Sequence, residues 1–100
     1  MTPRLSLSAE AEADLAKAAA WYEEQRAGLG LEFTRAVRAL LATIERDPLR
    51  YPLARREVRR ALVRRFPYAV YFLAESDTTI VIGCLPVRRD PQTWPLRADG

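Results

Sequence analysis

Val58-Arg-Arg-Ala-Leu-Val-Arg-Arg-Phe-Pro-Tyr-Ala-Val-Tyr-Phe-Leu-Ala74 is the stretch over which the chain changes its period. It gathers β-branched and aromatic residues, and Pro67 breaks it in two. Val58 to Arg65 and Tyr68 to Ala74 therefore read as strands joined through Phe66-Pro67. Thr79 to Leu85, beyond the turn material Glu75-Ser76-Asp77-Thr78, reads as a third. Three strands in immediate succession imply an antiparallel sheet.

Upstream, the spacing is helical. Arg4 to Leu7 is a short strand ending at Ser8, a favourable N-cap, with Glu10 and Glu12 near the positive end of the helix that follows. That helix is expected from about Ala9 to Arg26, with Ala11, Leu15, Ala18 and Tyr22 on one face and Gly28 as its stop. Leu31 to Asp47 gives a second helix, striped by Phe33, Val37, Leu40, Leu41 and Ile44 and ended by Pro48. The short connection around Gly28 to Gly30 makes the two an antiparallel hairpin, and the alanines of the first allow close approach. The order βααβββ defines an α+β class: a two-layer single domain over residues 1–100, with a helical hairpin packed on an antiparallel sheet.

Composition excludes much chemistry. Histidine is absent, which removes imidazole bases and most zinc sites. The single cysteine, Cys84, reads as a small buried hydrophobe. The four glycines, at 28, 30, 83 and 100, form no phosphate loop. Glu23 and Glu24 are helix neighbours that point apart, so they read as solvated charges and not as an acid/base pair. No catalytic group, metal or cofactor is implied. With no disulfide, no signal-length apolar stretch in Met1 to Ala13, and no apolar run longer than Ile80 to Val87, the expectation is a cytoplasmic protein with no membrane partner.

Charge is concentrated. Between Arg50 and Arg65 lie seven arginines and one acid, Glu57, a local charge of +6 that suits an anionic partner. Fifteen of the sixteen basic residues are arginine, as bidentate recognition of carboxylate or phosphate favours; a high-GC genome gives the same bias. Strand alternation puts Val58, Arg60, Leu62, Arg64 and Phe66 on one face and Arg59, Ala61, Val63 and Arg65 on the other, without saying which face meets the helices. The first set mixes large apolar groups with arginines, as a binding surface does. It suits an amphipathic helix and extended segment filling Leu62 and Phe66. Trp21 and Tyr22 read as packing in the helical hairpin, the alternative being direct contact with a target.

Taken together, the segment from Val58 to Phe72, the pair Arg88-Arg89 before Asp90-Pro91, nearby Trp94, Ala20-Trp21-Tyr22-Glu23, Gly28-Leu29-Gly30 and Pro48-Leu49-Arg50-Tyr51-Pro52 resemble the RelE/ParE toxins along nearly the whole chain. The resemblance implies a toxin held inactive by a cognate antitoxin. RelE-like members cleave mRNA on the ribosome, whereas ParE-like members inhibit DNA gyrase without a hydrolytic site. Tyr68 is followed here by Ala69 where RelE-like chains have arginine, and Pro91 to Trp94 replace the usual C-terminal tyrosine, so the ParE-like branch is favoured. Pro86 stands where many ParE-like chains have histidine, and it should end its strand or place it at an edge. The surface expected to meet target or antitoxin comprises Arg59, Arg60, Leu62, Arg64, Arg65, Phe66, Tyr71, Arg88, Arg89 and Trp94. An endoribonuclease acting on ribosome and mRNA, and a nontoxic interaction module, are the alternatives.

Overall fold

The computed structural model describes residues 4–88. Strand β1 (Leu5–Leu7) leads into helix α1 (Ala9–Gln25), then helix α2 (Leu29–Arg46), a short 3-10 turn (Pro48–Arg50), and strands β2 (Leu53–Arg55), β3 (Val58–Leu62), β4 (Tyr68–Ala74) and β5 (Thr79–Pro86). The sheet order is β1-β5-β4-β3-β2. Neighbours run antiparallel except β1, which lies parallel to β5. The α+β class and the helical pair on one sheet face are as the sequence implies.

Local chemistry explains the helix ends. Ser8 caps α1, its Oγ accepting the Ala11 N–H at 3.1 Å, with Glu10 and Glu12 in the first turn. Gly28 then adopts φ 90°, the left-handed region that favours glycine, and α2 starts directly after it. The hairpin closes tightly at Gly30, where a Cβ would fall 2.6 Å from the Ala19 carbonyl oxygen. Glu23 is exposed, as the sequence implies, and also has a structural role: its two carboxylate oxygens accept the N–H groups of Gly28 and Gly30 at 2.9 and 3.0 Å. It thus satisfies donors that the start of α2 leaves open.

The alternation of β3 and β4 sorts the sheet into two faces. Ala61, Val70 and Phe72 turn toward the helices and pack with Phe33, Val37, Ile44 and Tyr22. Burying rings such as Phe33 and Phe72 contributes about 1.5–3 kcal/mol each. Val58, Ala69, Tyr71, Ile82 and Leu85 form a second apolar cluster on the other face. A bulge in β5 opposite Tyr71 and Phe72 shifts the pairing from Gly83 to Val81. Past Val81, where β1 stops pairing, the Cys84 N–H donates to Asp14 Oδ2 of α1 at 3.0 Å. Two residues on, Pro86 ends β5 as expected.

Beside the parallel pairing of β1 with β5, two features depart from the sequence reading. β2 was not anticipated, and β3 ends at Leu62, three residues early, because the chain turns there: Val63 N–H donates to the Tyr68 carbonyl at 2.9 Å and Arg65 takes φ 71°. Among the described residues no helix is long and apolar enough to cross a membrane.

Candidate partner-binding surface

The β3–β4 turn decides where the candidate residues go. Alternation does not continue through it, so Phe66 is not on the surface with Leu62. Phe66 is 9% exposed and lies among Tyr22, Phe33 and Tyr68, with ring centroids 4.9 Å from Tyr22 and 5.2 Å from Phe33. Leu62 is 59% exposed and pairs with Ala69 on the face away from the helices. Counting by twos from Val58 placed them together; the left-handed Arg65 reverses the chain and inserts Phe66 under the helices instead.

The arginines divide in the same way. Arg59 faces the helices and donates through Nη1 to the Tyr51 carbonyl at 2.6 Å, tying the segment before β2 to β3. Arg60 shares the opposite face with Leu62 and is exposed. Arg64 and Arg65 sit in the turn, beside Glu32, Arg35, Ala36 and Ala39 of α2, around an open cleft of about 400 Å³. Arg65 lies 3.6 Å from Glu32, which also meets Arg26 at 3.4 Å, so this carboxylate is shared. No carboxylate of the described residues lies within ion-pair distance of Arg35, Arg50, Arg55, Arg56, Arg60 or Arg64.

Tyr71, at 2% exposure, belongs to the second apolar cluster and does not present its ring to solvent. Val87 N–H donates to the Pro67 carbonyl at 3.0 Å, which carries exposed Arg88 to the same end of the sheet as Arg64 and Arg65. Arg89 and Trp94 lie outside the described residues.

Helix α1 contributes a second concavity. Asp14, Lys17, Trp21, Tyr68, Cys84, Leu85 and Pro86 line a groove of about 270 Å³. Burial, and then neighbouring Asp14, push the Cys84 thiol up to about 12, so at neutral pH it is protonated and a poor nucleophile. Burial, followed by Tyr68 and Cys84, also raises the Tyr22 phenol above its ordinary value. Tyr22 packs in the core as expected, whereas Trp21 is 53% exposed and touches Tyr22 edge-on at 5.0 Å. Adjacent helix positions diverge by about 100°, which puts one aromatic inside and the other at the groove.

Sequence reasoning passed over Arg55 and Arg56 as site residues. β2 is three residues long with every residue exposed, so it carries no apolar alternation to reveal it; only the arginine count marked the region. Arg56 takes φ 52° in the β2–β3 turn, a backbone setting that arginine does not signal.

Two helices on one face of a five-stranded sheet form the βααβββ architecture that the RelE/ParE resemblance implies. A solved chain from the chromosomal ParDE TA system of P. aeruginosa shares the fold, with a TM-score of 0.74 at 15% identity, covering 82% of this chain and 92% of that one. The family model described as the ParE toxin of the type II toxin-antitoxin system, parDE, matches residues 5–91, and the chain belongs to that family. No curated protein sequence matches it.

Proposed function

We propose that the protein is the toxin of a type II pair, that it arrests growth in the cytoplasm by binding DNA gyrase, and that a cognate antitoxin neutralises it. The observation that carries this reading is family membership over residues 5–91. The site chemistry supports binding over cleavage. RNA cleavage needs one group to activate the 2′-hydroxyl and another to protonate the leaving oxygen. Arginines are too basic to shuttle that proton, Tyr71 is buried, and Ala69 occupies the position of the RelE-like arginine.

Exposed Arg60, Leu62, Arg64, Arg65 and Arg88 are the contacts assigned to the target, with Phe66 and Tyr71 supporting them from within. Because Leu62 and Phe66 lie on different sides, the apolar face of an antitoxin helix is better served elsewhere. The cleft of about 270 Å³ lined by Leu7, Leu15, Phe33, Val37 and Leu41, with Thr34 and Arg38 among them, offers it a mainly apolar seat.

The test is a gyrase supercoiling assay with purified protein, run beside primer extension on translated message. Inhibition of supercoiling without message cleavage is expected. Cleavage in codon register would move the protein to the endoribonuclease class. Inactivity in both assays, with no growth arrest on induction, would leave the interaction-module reading.

A further inference from the structure

An antiparallel sheet with helices on one side ordinarily gives its other face to water. Here that face is dry over β4 and β5. Ala69, Tyr71, Ile82 and Leu85 are 0%, 2%, 5% and 6% exposed, and Val58 of β3 joins them at 3%. Side chains stand roughly perpendicular to a sheet, so a ring on a bare face keeps much of its surface in solvent. Tyr71 also stands opposite Gly83, which has no side chain to shelter it. Farther along β3 the same face is open: Arg60 and Leu62, opposite Tyr71 and Ala69, are exposed. The cover therefore lies over the β4–β5 half and stops short of that strip.

No described element supplies it. The helices, Tyr51 after the 3-10 turn and Phe66 of the β3–β4 turn all pack on the opposite face, and β1 to β5 lie within the sheet. The burial arises within one chain, which leaves residues 1–3 and 89–100. Met1-Thr2-Pro3 precedes the end of the sheet where β1 meets Thr79, and brings one large apolar side chain to five residues on three strands. The C-terminal segment starts at the other end, directly after Pro86, Val87 and Arg88, where Leu85 lies. Its twelve residues reach about 40 Å when extended, against about 20 Å from Pro86 back to Ile80. It carries Trp94 and Leu96, and Pro91 and Pro95 disfavour a helix there.

We propose that residues 89–100 fold back over the outer face as a third layer, with Trp94 seated on Tyr71, Gly83 and Ile82. The occupant of this face is the chain's own tail, and a partner that meets Arg60 and Leu62 meets the border of that tail. The inference stands apart from the toxin reading: a chain that leaves supercoiling untouched would still keep its tail in place.

Tryptophan fluorescence of the full-length protein tests it. Trp21→Phe removes the exposed indole of α1 and leaves Trp94 as the one reporter. Its emission should be shifted to the blue of the urea-unfolded chain, and acrylamide should quench it several-fold less steeply. Tyr71→Ala in the same background should raise the quenching toward the unfolded value. Circular dichroism confirms that each variant is folded. Should Tyr71→Ala unfold, Trp94→Ala decides: Tyr71, resistant to tetranitromethane in the parent, should become reactive while Tyr22 of the core stays resistant, as read by peptide mass mapping. Emission and quenching of Trp94 equal to those of the unfolded chain, protection that survives Tyr71→Ala in a folded protein, or a Tyr71 equally reactive with and without Trp94 would each overturn the proposal.

Discussion

Gly30→Ala tests the packing of the helical hairpin at its closest point. Alanine is ordinarily the better helix residue by about 1 kcal/mol, so propensity alone predicts a gain. The structure predicts a loss. The new methyl would lie 2.6 Å from the Ala19 carbonyl oxygen, a backbone atom, and 3.0 Å from Glu23 Oε1. The helices must separate, at an overpacking cost of about 1–3 kcal/mol. The displaced Glu23 carboxylate also loses its hold on the Gly28 and Gly30 N–H groups, worth about 1 kcal/mol more. Set against the propensity gain, the net is a destabilisation of about 1–3 kcal/mol. For a domain of this size each kcal/mol moves Tm by about 4–8 °C, so thermal unfolding followed by circular dichroism should show a fall of at least several degrees. Gly28→Ala separates the two glycine roles: nothing lies within 4 Å of its Cβ position, so any loss there comes from φ +90° alone, about 1–2 kcal/mol. A Gly30→Ala protein as stable as its parent would refute the close-approach argument.

Other consequences are as direct. Arg56→Gly relieves a left-handed backbone at φ 52° and should raise Tm by a few degrees, a gain of about 1 kcal/mol; a lowered Tm would show that the arginine side chain stabilises the turn. Cys84 has a folded pKa of about 12, above the ordinary thiol value of about 8.5, so its contribution is intact below pH 8.5 and is lost as pH rises toward 12. The loss of stability over that window in denaturant titrations should be shallower in Cys84→Ala, and identical pH profiles would contradict the assignment. Asp14→Ala leaves the Cys84 N–H without its acceptor and should cost about 1–3 kcal/mol, read as a lower urea midpoint. Arg88→Glu/Arg89→Glu should abolish growth arrest while shifting stability by only about 0.5 kcal/mol; full toxicity from the folded double variant would return attention to Arg60 and Arg64.

Much of the fold was legible because its signals are local. Ser8 with two following glutamates, the apolar stripe of α2, and the proline and acidic turns between strands each act within a few residues. What escaped depends on contacts distant in the chain or on backbone angles. The alternation of Val58 to Arg65 reads on without a break, and only the left-handed Arg65, supported by the Val63–Tyr68 hydrogen bond, shows that the strand has ended. That single turn separates Phe66 from Leu62 and so redraws the candidate surface. The bracing role of Glu23 did not show because its partners are backbone groups across the hairpin, which composition does not register. Arg59, marked by its charge, serves the Tyr51 carbonyl instead.

The Asp14–Cys84 hydrogen bond bears on how neighbours can approach this molecule. A strand that outruns its partner normally leaves a row of donors and acceptors on which a foreign strand can template itself, the first step of edge-to-edge aggregation. Beyond Val81, β5 is such a strand. Yet the outward donor at Cys84 is already taken by a carboxylate, and Pro86, two residues on and so pointing the same way, has no N–H to give. Among the described residues this rim therefore offers no free N–H at Cys84 or Pro86 to an incoming strand. What enters the groove beside Trp21 cannot take an N–H from Cys84 or Pro86 and must rely on the other groups that line it.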